Sequence, residues 1–103
     1  MTNTVYTIDE IKRRFLNVTR KYDIAEAFLF GSYARGDATK ESDIDFYVKT
    51  GKLKNCLDIS GIWVETEQAM NKKIDIVYAD QMKIDQEFDE EMRKDWIKIY
   101  EQQ

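Results

Sequence analysis

The stretch GSYARGDATKESDIDFYV, residues 31–48, joins a glycine-serine pair to two aspartates across ten intervening residues. The preceding Glu26–Phe30 is short and apolar and stops at the glycine, which predicts a buried strand that ends in a turn. Ser32–Arg35 is expected to form a helical turn, and Asp43–Val48 alternates apolar with polar residues, as a half-buried strand does. The stretch therefore predicts a strand, a turn, a polar loop and a second strand.

The N-terminal residues predict an amphipathic helix. TIDE at residues 7–10 is a capping box, in which the Thr7 hydroxyl and the Glu10 carboxylate each accept a hydrogen bond from a backbone N–H group at the helix start. A helix from Ile8 to about Lys21 is expected, with its basic residues on a solvated face. Its apolar residues recur at spacings of three and four: Ile8, Ile11, Phe15, Val18 and Tyr22.

The C-terminal half predicts two further helices and a third strand. Apolar spacing indicates a helix over 59–70, and Lys73–Tyr78 alternates as a strand that carries Asp75 on its polar side. Asp80 is expected to cap a last helix. The apolar residues of that helix are Ile84, Phe88 and Met92. Trp96–Tyr100 fits either a closing edge strand or a continuation of the last helix, and the pattern leaves both open.

This order of elements predicts an α+β fold, in which a small mixed β-sheet is flanked by helices. The 43% apolar and 13% aromatic content supports a packed core despite 35% charged residues. No repeat, low-complexity tract or linker divides the 103 residues, so residues 1–103 are expected to form a single domain.

Composition and charge exclude several partners and chemistries. A net charge of −4 opposes binding to duplex nucleic acid, which requires the neutralisation of many phosphates, and no apolar run approaches the ~18 residues that cross a bilayer. Cys56 is the single cysteine and no leader precedes Thr7, so a cytoplasmic location without an internal disulfide is expected. Histidine is absent, which leaves carboxylates, Lys, Arg, Tyr and hydroxyl groups for any chemistry.

Three aspartates are candidate catalytic residues and metal ligands. Asp43 and Asp45 lie two residues apart on a predicted strand, so their side chains leave one face, and Asp75 lies on another predicted strand with the same alternation. Neighbouring carboxylates oppose one another's ionisation unless a cation lies among them. Because oxygen ligands without His or Cys suit hard cations, we expect Mg²⁺ first and Mn²⁺ second.

The glycine-serine pair is a candidate phosphate site. Gly31 lets the backbone approach a ligand without an intervening Cβ atom, and Ser32 adds a hydroxyl donor to backbone N–H groups that favour anions. Arg35 either contacts a triphosphate or forms a surface ion pair, and Ser42 either touches the nucleotide or caps the loop. A phosphate held beside metal-binding aspartates predicts a nucleoside triphosphate site for in-line transfer.

Gly31-Ser32, ten residues and then Asp43-Ile44-Asp45 resemble the signature of the DNA polymerase β-type nucleotidyltransferase superfamily. The fuller text, GSYARG followed by SDIDFYV, is similar to its minimal nucleotidyltransferase branch, as are the preceding helix, the third predicted strand and the overall length. The resemblance implies a small palm-like α+β fold, Mg²⁺, a nucleoside triphosphate and transfer of a nucleotidyl group to an acceptor. It also implies that the aspartate pair binds metal, that Asp75 helps to activate the acceptor hydroxyl, and that the glycine-serine pair contacts the triphosphate.

The resemblance further implies a protein partner. Minimal nucleotidyltransferases of this kind pair with a small helical HEPN protein, an RNase toxin, and act as its antitoxin by transferring AMP from ATP to a tyrosine beside the toxin's active site. Three alternatives stay open. They are nucleotidyl transfer to a small molecule such as an aminoglycoside, a non-catalytic antitoxin that masks its partner, and a purely structural pair of acidic strands.

Overall fold

The computed structural model describes residues 5–50, 56–78 and 95–102. In chain order, its elements are α1 (Ile8–Thr19), β1 (Ile24–Phe30), α2 (Gly31–Arg35), β2 (Ile44–Thr50), α3 (Cys56–Met70), β3 (Ile74–Tyr78) and β4 (Ile97–Glu101). The predicted cap at Asp80 and the helix that would follow it lie outside the described residues. Among the helices described, none is both long and apolar enough to cross a membrane.

Helix α1 begins with the predicted capping box. The Thr7 hydroxyl accepts a hydrogen bond from the Glu10 N–H, and the Glu10 carboxylate accepts one from the Thr7 N–H, both at 3.1 Å. The helix ends at Thr19 rather than at the predicted Lys21, because the Lys21 N–H bonds to the Val18 carbonyl three residues back and closes the last turn.

The four strands form one mixed sheet in the order β3-β2-β1-β4. Strand β1 pairs antiparallel with β2 and with β4, whereas β2 and β3 are parallel. This topology confirms the predicted α+β class. It also decides the question that Trp96–Tyr100 leaves open in the sequence, because Ile97–Glu101 is an edge strand paired with β1. Strand β1 begins at Ile24, two residues before the predicted Glu26, since Ile24 pairs with Thr50 of β2.

Helices α1 and α3 cover one face of the sheet. Phe15 of α1 stacks on Phe46 of β2 with ring centroids 5.5 Å apart, and the Tyr78 hydroxyl of β3 donates to the Ile59 carbonyl of α3 at 2.7 Å. By strand register, Phe46 and Tyr78 lie on the same side of the sheet, so the core fills the space between that side and the two helices. The residues of β2 and β3 that alternate with these point to the opposite face, and they include Asp45 and Asp75.

Candidate active site

Asp45 and Asp75 are in-register neighbours on two parallel strands. Strands β2 and β3 pair residue for residue, which places Asp45 directly beside Asp75. Asp43 immediately precedes β2, so it lies one residue outside the strand that the alternation predicts to begin there. The predicted convergence of carboxylates thus comes from one strand pair, although residues 45 and 75 are 30 positions apart in the chain.

The charges of Asp43, Asp75 and Arg35 all act on the carboxyl group of Asp45. The pKa of Asp45 is raised, first because the carboxyl group is partly buried and then because of the negative charges of Asp75 and Asp43. The guanidinium of Arg35 acts in the opposite direction and lowers the same pKa. Negative charges crowded around a half-buried carboxylate form a group that a bound cation would stabilise.

Gly31 lies against the Asp45 carboxylate. Its φ of +71° falls in the left-handed region that L side chains rarely adopt, and a Cβ atom at this position would overlap Oδ2 of Asp45. Phe30, the last residue of β1, is the antiparallel partner of Asp45, which brings the following glycine to the carboxylate. The glycine and the aspartate pair of the 31–48 stretch are therefore parts of one site.

Arg35 and Ser42 both make contacts within the loop between α2 and β2. The Arg35 side chain is 52% exposed and its Nε lies 3.4 Å from the Asp37 carboxylate, a long and solvated ion pair. The Ser42 Oγ accepts a hydrogen bond from the Thr39 N–H at 2.9 Å and lies 3.3 Å from the Thr39 hydroxyl. Of the two interpretations of Ser42, the loop cap is the contact present in the structure.

The residues at this site match the ligand chemistry of a hard divalent cation. Asp43, Asp45 and Asp75 offer only oxygen atoms, which suits Mg²⁺ or Mn²⁺. Within the described parts of the chain, no three His, Cys, Asp or Glu side chains are spaced to hold one metal ion by themselves. Protein-bound Mg²⁺ is commonly held by one or two carboxylates together with substrate phosphates and water, so this open donor set fits a metal that arrives with a nucleotide.

One residue near the site, Lys72, was not predicted from the sequence to have a role there. Its side chain is only 4% exposed, and its Nζ donates to the carbonyl of Lys40 in the loop that leads to Asp43. The neighbouring Lys73 is exposed. No local pattern distinguishes the two lysines, because burial at this position depends on how the loop before β2 packs against the start of β3.

Two sequence comparisons bear on this site. The chain matches the family described as "Polymerase beta, Nucleotidyltransferase" over residues 13–103. It is also 37% identical over 70 residues to a Methanocaldococcus jannaschii protein named "Putative protein adenylyltransferase", an alignment that covers 68% of this chain and 75% of the relative. The matched family region includes the glycine-serine pair and all three aspartates.

Structural comparison finds the same fold in known proteins. The chain superposes on a structure described as a "putative minimal nucleotidyltransferase" with a TM-score of 0.72 and 22% identity, over 91% of this chain and 97% of the other. It also superposes on a chain from the complex of tri-AMPylated Shewanella oneidensis HEPN toxin with MNT antitoxin, with a TM-score of 0.64 and 13% identity, over 93% and 74% of the two chains. At these identities the similarity establishes the fold.

Proposed function

This chain belongs to the polymerase β nucleotidyltransferase family, and from that premise we propose that it transfers AMP from ATP to a tyrosine hydroxyl of a HEPN-type toxin and thereby acts as an antitoxin. The observation that carries the proposal is the contact of Gly31 with Asp45, together with the in-register pairing of Asp45 with Asp75. Nucleotidyl transfer requires a place where the backbone can bind phosphate without a side chain in the way, next to a cluster of carboxylates that can bind metal.

Each site residue has a role in the proposed reaction. Asp43 and Asp45 would hold Mg²⁺, with Asp75 completing the acidic cluster, and the metal would supply charge neutralisation for the triphosphate. Asp75 is exposed on its strand, and it accepts the proton from the tyrosine hydroxyl as that oxygen attacks the α-phosphorus of ATP. A new phosphorus–oxygen bond forms to the tyrosine, the bond to the β-phosphate breaks, and pyrophosphate leaves.

The triphosphate contacts follow from the other side of the site. Gly31 and Ser32 supply backbone N–H groups and a hydroxyl, with no side chain at position 31 to hold the phosphates away. Arg35 is exposed and its charge lowers the pKa of Asp45, and we assign to it a contact with a negatively charged phosphate in the same space. Ser42 caps the loop through its hydrogen bond with Thr39, and we assign to it an indirect role in nucleotide binding, as a support of that loop.

The partner assignment rests on the relatives. One relative is named as a protein adenylyltransferase, and one structural neighbour comes from a complex of an AMPylated HEPN toxin with its antitoxin.

The test is transfer of label from [α-³²P]ATP to the toxin in the presence of Mg²⁺. Wild-type protein is expected to label one or more toxin tyrosines and to be stabilised against heat by Mg²⁺ with ATP. Asp43→Asn and Asp45→Asn are expected to lose both the label and the thermal shift, and Asp75→Asn to lower kcat by about 10²- to 10⁴-fold, as loss of a general base does. Asp9→Asn, on the exposed first turn of α1, is the control and keeps wild-type activity.

The same assay identifies the alternatives. Toxin neutralisation that survives Asp43→Asn and occurs without label would indicate a masking antitoxin and contradict the transferase proposal. Labelling of an aminoglycoside by this protein alone, with no label on the toxin, would indicate a small-molecule acceptor.

A further inference from the structure

Lys72 is a buried lysine at the start of the strand that carries Asp75. It lies in the short connection between α3 and β3, and its side chain is 4% exposed. Lysine is almost never this buried unless its ammonium group has a partner, because desolvation of the charge is costly. Here Nζ donates a hydrogen bond of 2.9 Å to the backbone carbonyl of Lys40, 32 residues earlier in the chain.

The carbonyl that Lys72 contacts belongs to a turn that is hydrogen-bonded within itself. The Ser42 N–H donates to the Thr39 carbonyl at 3.0 Å, and the Thr39 N–H donates to the Ser42 hydroxyl at 2.9 Å. The Glu41 N–H donates to the Thr39 hydroxyl at 3.3 Å. These bonds make residues 39–42 a compact unit, and Lys72 ties that unit to the start of β3.

Asp43 follows the turn directly, and Ile44 then joins the sheet. The Ile44 N–H donates to the carbonyl of Lys73 at 3.2 Å. The backbone is therefore held on both sides of Asp43: before it by the side chain of Lys72, and after it by the carbonyl of Lys73. The orientation of the Asp43 carboxylate relative to Asp45 therefore depends on where the 39–42 turn is held.

We infer that Lys72 is a positioning residue for the metal-binding site, acting through the Lys40 carbonyl to hold the 39–42 turn and, with it, Asp43. This inference rests on the proposed role of Asp43 in metal binding. Residues that orient metal ligands in this way typically affect metal affinity or activity by about 10- to 100-fold.

Substitution by methionine separates positioning from folding. Lys72→Met preserves the length of the side chain and its apolar stem but removes the hydrogen-bond donor and its charge. The Lys40 carbonyl loses its donor and the 39–42 turn is released. Lys72→Arg keeps a cationic donor at the same position and is the rescue variant.

The experiment measures AMP transfer to the toxin as a function of Mg²⁺ concentration at saturating ATP. Lys72→Met is expected to raise the Mg²⁺ concentration for half-maximal activity about tenfold, while saturating Mg²⁺ restores most of kcat. Lys72→Arg is expected to recover most of the Mg²⁺ affinity. Lys40→Met is the matched control, since it removes one positive charge from the same turn and keeps the carbonyl; it is expected to match the wild type.

Each result decides the inference. An unchanged Mg²⁺ dependence in Lys72→Met overturns it while leaving the proposed function intact, and an equal shift in Lys40→Met overturns it by assigning the effect to net charge. Should Lys72→Met fail to fold, Lys72→Gln is compared with Lys72→Arg, together with amide hydrogen exchange over residues 39–43, which must be faster in Lys72→Gln. A wild-type protein that transfers no AMP at any Mg²⁺ concentration refutes the proposed function, and the inference falls with it.

Discussion

At the scale of single residues, the site depends on the missing side chain at position 31. Two glycines of the described chain have positive φ, Gly31 at +71° and Gly36 at +83°, so both carry the same conformational requirement. They differ in their surroundings. A Cβ atom at position 31 would overlap the Asp45 carboxylate, whereas one at position 36 would have no neighbour within 4 Å.

This difference predicts a matched pair of variants. Gly31→Ala and Gly36→Ala are each expected to lower the free energy of unfolding by about 1–2 kcal/mol, since alanine is strained at positive φ. Only Gly31→Ala is expected to displace Asp45 and abolish nucleotidyl transfer. Chemical denaturation and the labelled ATP assay measure the two effects. Equal activity in both variants would show that the contact between position 31 and Asp45 is dispensable.

At the scale of elements, helices α1 and α3 approach closely at Gly61. The glycine interrupts the interior of α3, which costs up to ~1 kcal/mol relative to alanine and suggests close packing from the sequence alone. The structure confirms that interpretation, because a Cβ atom at position 61 would overlap the hydroxyl of Tyr22, which follows α1. Nearby, Lys21 and Glu65 form an ion pair of 3.0 Å that spans the same approach.

The close packing of Gly61 against Tyr22 predicts that the effect of Gly61→Ala on the free energy of unfolding depends on residue 22. In the wild type, the steric overlap with Tyr22 is expected to offset the helix propensity of alanine, so the substitution lowers the free energy of unfolding or leaves it unchanged. In a Tyr22→Ala background, the same substitution is expected to raise it by about 1 kcal/mol. A double-mutant cycle measured by urea denaturation tests this, and additive effects would contradict it.

At the scale of the whole molecule, the burial of two tyrosine side chains predicts how stability depends on alkaline pH. Burial raises the pKa of Tyr78 to about 12 from its usual value of 10.0, and its hydroxyl donates to the Ile59 carbonyl. In the unfolded chain the Tyr78 hydroxyl ionises near pH 10. The stabilisation that neutral Tyr78 gives to the folded state is therefore complete below that pH and is lost as the pH rises through 12. Burial also raises the pKa of Tyr33, which acts in the same direction.

Tyr78→Phe is therefore expected to flatten the decline in stability between pH 10 and pH 12. At neutral pH the variant loses the hydrogen bond to Ile59, at a cost of about 1 kcal/mol. Between pH 10 and pH 12 it avoids a loss of roughly 3 kcal/mol, from two pKa units at 1.36 kcal/mol each. Denaturation curves at a series of pH values measure the slope, and a slope equal to that of the wild type would exclude Tyr78 as its source.

Local patterns in the sequence determined most of the elements, because capping, apolar period and strand alternation act between residues a few positions apart. The capping box at Thr7, the alternation after Asp43 and the glycine before Ser32 all belong to this class. The α+β class and the candidate pair of aspartates followed from them. The end of α1 and the first residues of β1 and β2 were predicted within two residues of their positions in the structure.

Tertiary structure alone decided which distant residues meet. The parallel register places Asp75 beside Asp45, the antiparallel register brings Gly31 to the same carboxylate, and pairing with β1 makes Ile97–Glu101 a strand. Burial of Lys72 likewise depends on a loop 32 residues earlier in the chain. These contacts join residues far apart in sequence, and strand pairing and side-chain packing select them through the free energy of the whole fold, which no local pattern contains.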